Sequence, residues 1–229
     1  HQYTSAWKKI VNLRNIRRIV EKLVDKYLFG KRQEFGYIGS HVRIHTRMLW
    51  NSFRLRKKYT NLEAVGRFVY FPLHVPGDVA LTLRTPHLLD QLTLVDQLCR
   101  GVPSTHYVAI KEHPAMVGAL DAGRLLGLLR RYDNLLILPP STNNYLVLHR
   151  CDMVVSINSK SGAEGALIGK PVIALGDAFY TNSPNVRKID RVQDLPDALA
   201  HVLSEKSVSA SYKDVERYLS AVWMRSQPG

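Results

Sequence analysis

Short apolar runs alternate with helix-periodic segments from residue 67 onward in this 229-residue chain, and this alternation constrains the fold more than any other feature. Each run has five to seven residues, the usual length of a buried strand, and is bounded by polar residues, glycine or proline. The predicted strands are 68–74, 106–111, 134–138, 153–157 and 171–175.

The segments between and after these runs have the apolar spacing of helices. The predicted helices are 87–100, 120–131, 143–150, 161–168, 194–203 and 212–223. Buried strands that alternate with helices are typical of a parallel sheet covered on both faces. We therefore predict an α/β fold with a Rossmann-like parallel sheet and helices on both faces.

Polar side chains follow each predicted strand at its carboxyl end. Parallel strands place those ends along one edge of the sheet, and ligands of open α/β sheets bind beyond that edge. We therefore expect one binding site there. Its candidates are His74 and Asp78, Glu112 and His113, residues 141–144, residues 158–162, and residues 176–180, which include Tyr180.

The positive charge of the chain is concentrated near its beginning. Residues 1–58 contain fifteen Lys or Arg and three Asp or Glu, whereas the remainder contains seventeen and sixteen. In this basic part, 5–28 has the spacing of an amphipathic helix, and a second basic helix is predicted over 41–58. We divide the chain into a basic helical arm, 1–60, and a globular domain, 61–229.

Several partners fit a basic amphipathic arm. It can be a solvated helical face, dock on another domain, or bind an anionic membrane surface or polymer. Contact with an anionic membrane through residues 1–58 would place the protein at the inner membrane face. Nucleic acid is not expected, because the sequence has no helix-turn-helix pattern, zinc finger or paired aromatic RNA motif.

The sequence also excludes some classes of protein. It has no run of eighteen apolar residues, so no membrane-spanning helix is predicted. Cys99 and Cys151 lack the spacing of a zinc site or a disulfide framework, and the nine histidines are scattered. We expect a reduced, cytoplasmic protein without metal. Because the chain begins at His1, we also expect a trimmed or partial product.

Two loops at the predicted edge contain candidate catalytic groups. In Lys111-Glu-His-Pro114, the proline ends a strand and fixes a turn. His113 then stands at the edge, where its ring can donate to a phosphate or act as a general acid. Asp78 follows the first strand and suits a nucleophile or general base. Both loops also fit ordinary surface turns.

The segment 158–165 joins a predicted strand to a predicted helix. Ser159 or Ser161 can cap that helix, whose N–H groups then face a bound anion. Gly162 allows close approach of the backbone. Glu164, placed in the first turn, can accept hydrogen bonds from ribose hydroxyls. An ordinary capped helix explains the same pattern.

Six motifs, taken in order, resemble those of one family. They are Tyr70-Phe-Pro-Leu-His74, Asp90-Gln91, Lys111-Glu-His-Pro114, Ser159 to Glu164, Gly169-Lys-Pro-Val172 and Gly176 to Tyr180. The family is that of capsule polysaccharide biosynthesis, which includes bacterial Kdo transferases of the two-domain GT-B fold. The resemblance covers about residues 66–200 and leaves out the basic arm.

The resemblance implies a metal-independent glycosyltransferase without a cofactor. It would transfer a sugar from a nucleotide donor, CMP-Kdo, to a glycan or lipid-linked acceptor. The implied catalytic residues are Asp78 and His113. The resemblance places His113, Ser159, Ser161 and Glu164 at the donor nucleotide, and the other predicted nucleotide-binding residues of the same two loops are Lys111, Asn158, Lys160 and Gly162. Further substrate contacts are assigned to His74, Glu112 and Tyr180.

The chain departs from the family pattern in three respects. The loop Val75-Pro-Gly-Asp78 has less acidic character than the family pattern leads us to expect. Lys160 stands where a small or hydroxyl residue is usual, although a lysine can itself bind a phosphate or carboxylate. A GT-B enzyme also needs a second Rossmann-like domain for its acceptor, and residues 1–60 are too few and too helical to form one. Two alternatives stay open: a CDP-glycerol or UDP-sugar enzyme of similar fold, and a non-catalytic glycan-binding or assembly module.

Overall fold

The computed structural model describes residues 17, 20–21, 23–25, 28–30, 38–204 and 212–226. Within them, six strands form one sheet: β1 Phe68–Pro72, β2 Tyr107–Lys111, β3 Leu135–Leu138, β4 Met153–Ser156, β5 Val172–Ala174 and β6 Val186–Lys188. Their order in the sheet is β3-β2-β1-β4-β5-β6, and every neighbouring pair is parallel. The predicted α/β, Rossmann-like parallel sheet is confirmed.

Helices connect and cover these strands. They are α1 Ile38–Leu55, α2 Val79–Thr82, α3 Gln91–Gly101, α4 Ala122–Arg131, α5 Asn144–Arg150, α6 Lys160–Leu167, α7 Leu195–Ser204 and α8 Tyr212–Ser226. Four of them begin after a residue whose side chain accepts a hydrogen bond from the first-turn backbone, which satisfies N–H groups that the helix itself leaves unpaired. These caps are Asp90, Asp121, Asn143 and Ser159.

The sheet separates two apolar cores, because successive residues of a strand point to opposite faces. Val69 and Phe71 of β1 belong to the core formed with α3, α4 and α7. Phe68 and Tyr70 belong to the core formed with α5, α6 and α8. All five residues of β1 are buried, as expected for a central strand with helices on both sides.

The chain reverses its direction across the sheet between β3 and β4. It runs outward from β1 through β2 to β3 and then crosses back, so that Val69 of β1 pairs with Met153 of β4. The loops that follow β1 and β4 therefore diverge to opposite sides of the sheet. Such a switch point opens a crevice at the carboxyl edge, where open α/β sheets bind their ligands.

The C-terminal half of α1 packs on the same globular unit. Leu55 is fully buried in the same core as Val69 and Phe71, so the predicted boundary at residue 60 does not separate this helix from the sheet. The helix predicted over 5–28 lies outside the described residues, apart from a few positions that are helical. None of the described helices is both long and apolar enough to cross a membrane.

Candidate functional site

The loops that follow β1 and β4 meet at the switch point. The backbone N–H of Asn158 donates to Nε2 of His74 over 3.4 Å. Gln91, at the start of α3, holds the same loop from the other side. Its side chain accepts from the His74 backbone N–H at 2.6 Å and donates to the His74 carbonyl oxygen at 3.2 Å. His74 is thus fixed through both its backbone and its ring.

The ring of His74 is buried, and burial lowers its pKa. The Asp78 carboxylate acts in the opposite direction, and His113 lowers the pKa further. A neutral ring that accepts at Nε2 carries its proton on Nδ1. His74 therefore joins the two loops, and the substrate contact expected of it stays a prediction.

Asp78 and His113 each lie near His74 at the carboxyl edge, since the charge of each changes the pKa of His74. Both are exposed. Asp78 directly precedes α2. Nδ1 of His113 accepts from the Ala115 backbone N–H at 3.1 Å, so the neutral ring carries its proton on Nε2 and can donate from that side.

The start of α6 is capped by Ser159. Its hydroxyl oxygen accepts from the Ser161 backbone N–H at 3.1 Å, and its own N–H donates to Oγ of Ser156 at 3.0 Å. Because α6 follows β4 directly, its first turn stands at the carboxyl edge of the sheet. The partial positive charge of a helix N-terminus suits a phosphate there.

Tyr180 packs against the first turn of α6. It is fully buried, and its hydroxyl lies 2.9 Å from Oγ of Ser156. Burial raises the pKa of this phenol to about 12. A Cβ atom on Gly162 would lie 2.6 Å from Cζ of Tyr180, so glycine is required by the tyrosine ring. The substrate contact expected of Tyr180 does not fit its burial.

Glu164 lies in the second turn of α6, because the helix begins at Lys160; the expected first-turn position is wrong. Its Oε1 is 3.4 Å from Nζ of Lys160, and its Oε2 accepts from Nδ2 of Asn144 at 2.9 Å. The Lys160 side chain is exposed. The contact of Glu164 with a ribose stays a prediction.

Lys111 ends β2 and brings a positive charge to the same edge. Its side chain is buried, and Nζ donates to the Thr142 carbonyl oxygen at 3.0 Å. Burial lowers the pKa of Lys111 to about 8, and the Glu164 carboxylate opposes that shift. Lys111 therefore keeps most of its charge at pH 7 and loses it a little above.

Glu112 is buried, and both its oxygens are occupied inside the protein. Oε1 accepts from the Gly118 backbone N–H at 2.9 Å, and Oε2 accepts from the Tyr59 hydroxyl at 3.3 Å. Burial raises the pKa of this carboxyl. The substrate contact expected of Glu112 does not fit these bonds. Instead, Glu112 fixes the loop that carries His113.

Gln91, Thr142 and Asn144 also take part in the contacts of this site. The sequence places them only within the motif Asp90-Gln91 and the polar run 141–144 and does not predict their individual roles. Their roles depend on contacts with distant segments. In the part of the chain that the structure describes, no group of three or more His, Cys, Asp and Glu side chains is arranged to hold a metal ion. The expectation that no metal is used stays a prediction.

Comparison with known protein families shows to which family the chain belongs. The family model of the capsule polysaccharide biosynthesis protein matches residues 8–184. This chain belongs to that family. The match begins within the basic arm, so the family extends further toward the N-terminus than the resemblance over 66–200 indicated.

Individual relatives are more distant. Protein FixF of Sinorhizobium fredii (strain NBRC 101917 / NGR234) is 31% identical over 128 residues, which are 55% of this chain and 30% of that protein. The structure titled Thermosulfurimonas dismutans KpsC, beta Kdo 2,7 transferase, has a TM-score of 0.47 and 18% identity, covering 88% of this chain and 57% of its own. Anabaena HepE, in complex with UDP and glucose, has a TM-score of 0.49 and 14% identity, covering 77% and 48%. This chain spans less than two thirds of each of these proteins.

Proposed function

We propose that this chain is the nucleotide-binding half of a glycosyltransferase of surface polysaccharide biosynthesis, and that its donor is CMP-Kdo. Membership of the capsule polysaccharide biosynthesis family supports a role in polysaccharide synthesis. The observation that carries the proposal is the arrangement at the switch point. There the N-terminus of α6 lies at the same sheet edge as Lys111, Lys160 and His113.

This arrangement suits the leaving group of a glycosyl transfer. The reaction breaks the bond between the anomeric carbon and a donor phosphate oxygen, and the electron pair stays on that oxygen. The N–H groups of α6, with Lys111, Lys160 and His113, supply hydrogen bonds and positive charge for the departing phosphate. The stabilisation comes from groups that the fold holds in place before the reaction begins.

Asp78 is the group we assign to the sugar or the acceptor. It is an exposed carboxylate at the same edge, near His74. It can take the proton of the attacking acceptor hydroxyl as a general base, or attack the anomeric carbon itself and form a glycosyl intermediate. In either role it touches the reacting atoms.

The acceptor is a glycan or a lipid-linked glycan, held by a second domain beyond this chain. The basic arm supports a location at the inner membrane face. Residues 38–58 contain six Lys or Arg and no Asp or Glu, and α1 exposes Trp50 and Phe53. Basic helices with exposed aromatic side chains suit an anionic lipid surface.

Calorimetric titration of the protein with CMP, CDP and UDP tests the donor. We expect preferential binding of CMP, and a weaker affinity in the His113→Ala variant. Loss of one charge-assisted hydrogen bond costs about 1.5–3 kcal/mol, which is roughly a ten- to 150-fold weaker affinity. Preferential binding of CDP or UDP would show that the donor carries that nucleotide instead of CMP. Binding of none of the three would reject the nucleotide site.

The matched control is His201→Ala. His201 is also exposed, but it lies on α7, which packs on the face of the sheet opposite to α6. We expect this variant to bind CMP like the original protein. Equal weakening in both variants would show that His113→Ala acts through general damage rather than through a lost contact.

A further inference from the structure

Asn144, the first residue of α5, lies at the centre of a hydrogen-bond network beneath the start of α6. Its Oδ1 accepts from the Tyr70 hydroxyl at 2.9 Å. Its Nδ2 donates to Oγ of Ser161 at 3.0 Å and to Oε2 of Glu164 at 2.9 Å. One side chain thus connects the central strand β1 to two residues of α6.

The direction of each bond in this network follows from chemistry. An ionised carboxylate has no proton to donate, so the Asn144 group that faces Glu164 is the amide nitrogen. The amide oxygen then faces Tyr70, whose buried hydroxyl must be the donor. Ser161 accepts from Asn144, and its own hydroxyl proton is therefore directed to another acceptor.

We infer that Asn144 is a positioning residue for the donor phosphate. By donating to Ser161, it turns the serine hydroxyl proton toward the phosphate. By donating to Glu164, it holds that carboxylate within the protein and away from the phosphate charge. The inference rests on the proposed function, in which the first turn of α6 binds the phosphate of the nucleotide.

Titratable groups surround Asn144 on three elements, and those of two of them, α6 and β2, are charged. Glu164 and Lys160 pair on α6 at 3.4 Å, and the charge of the same carboxylate raises the pKa of Lys111 on β2. Tyr70 of β1 is neutral, because burial raises its pKa. A carboxylate introduced at position 144 would repel Glu164 and would accept the Ser161 proton. Both changes disfavour a bound phosphate.

The experiment compares Asn144→Asp with Asn143→Asp. The two variants add the same charge one residue apart. Asn143 is exposed and caps α5 by accepting from the Tyr145 backbone N–H at 2.9 Å, which an aspartate does equally well. The affinity of each variant for CMP is measured by calorimetry at pH 5.5 and at pH 8, with thermal unfolding as a check of folding.

We expect Asn144→Asp to bind CMP at least about tenfold more weakly than Asn143→Asp at pH 8. At pH 5.5 we expect the two variants to bind CMP with nearly equal affinity, because the carboxylate introduced at position 144 gains a proton and can donate to Glu164 again. Damage to packing alone would give the same loss at both pH values and would overturn the inference.

A second variant, Asn144→Ala, removes both donated bonds without adding charge. We expect a loss of CMP affinity at both pH values, and if Asn144→Asp does not fold, unchanged CMP affinity of a folded Asn144→Ala would overturn the inference. Equal binding by all variants at pH 8 would overturn the role of Asn144 and leave the donor site standing. Binding of neither CMP, CDP nor UDP by the unchanged protein would overturn both.

Discussion

Asn51 of α1 donates a hydrogen bond of 3.0 Å from Nδ2 to the carbonyl oxygen of Gly118, 67 residues further along the chain. It also donates to the Leu120 carbonyl oxygen at 2.9 Å. Gly118 has a φ of +78°, and a Cβ atom there would overlap the carbonyl oxygen of Met48. The loop that carries His113 is therefore anchored directly on the backbone of α1.

Replacing Asn51 tests this anchor. Asn51→Ala leaves two carbonyl oxygens without their donor in a buried place, so we expect the free energy of unfolding to fall by about 2–3 kcal/mol. Thr46→Ala is the control, because Thr46 is exposed and bonds only to carbonyl oxygens of its own helix; its effect stays within about 0.5 kcal/mol. Urea unfolding measures both, and equal values would contradict the anchor.

Alanine at two glycines is expected to change stability in opposite directions. At Gly162 the added Cβ meets the buried ring of Tyr180, so Gly162→Ala costs about 1–3 kcal/mol. Gly127 lies within α4 and has no atom within 4 Å of an added Cβ. Gly127→Ala therefore stabilises by about 0.5–1 kcal/mol. Calorimetric unfolding checks the signs, and a stabilising Gly162→Ala would refute the contact.

The stability of the protein is expected to depend on pH through His74. Its pKa is lowered by burial in the folded state, while the unfolded chain takes up a proton near pH 6.5. This contribution is complete above pH 6.5 and is lost as the pH falls through the folded pKa. His74→Gln keeps an acceptor for Asn158 that does not titrate. Between pH 7 and pH 5, we expect the free energy of unfolding of His74→Gln to fall less than that of the unchanged protein. An equal fall in both proteins would contradict this expectation.

Lys111 predicts a second pH dependence, this time of binding. The pKa of its buried ammonium is about 8, whereas a nucleotide phosphate is already dianionic above about pH 7. We therefore expect the affinity for CMP to weaken by about tenfold between pH 7 and pH 9. In Lys111→Arg the guanidinium stays charged, and the affinity stays level over that range. A level profile in the unchanged protein would remove Lys111 from the site.

Asp78 is tested by separating binding from transfer. Asp78→Asn keeps the shape of the side chain but can neither attack nor take a proton, so we expect transfer from CMP-Kdo, assayed with the acceptor domain present, to fall at least about 100-fold. CMP affinity changes little. Asp197→Asn, at the exposed start of α7, serves as the control. Turnover retained by Asp78→Asn would exclude this residue from the chemistry.

The strands of the central sheet were predictable because each is a separate apolar run. The observed β2 differs from its predicted range by one residue. The strand β6 gave no such signal, since its three residues are partly or fully exposed. The segment forms a strand because it pairs with the otherwise unpaired side of β5. Val186 lies opposite Val172, and Lys188 lies opposite Ala174. Tertiary context, rather than local pattern, decides such a segment.

The site was predictable as a sheet edge, and less so as individual contacts. The sheet topology brings His74, Asp78 and His113 together as expected, because parallel strands end at one edge. Glu112 and Tyr180, however, are buried, and a sequence alone does not show which polar side chains become covered. The role of Asn144 could not be predicted from the sequence, because its partners are far away in the chain.

The meeting of His74 and Asn158 joins positions 84 residues apart and requires β4 to return beside β1. Contacts between segments so distant form late, because closing a long loop costs entropy before any contact repays it. A nascent chain that ends before α6 holds half of the crevice and has no place for a phosphate. The nucleotide binding that we propose is therefore acquired in one of the last steps of folding, and a bound nucleotide then favours the completed fold by mass action.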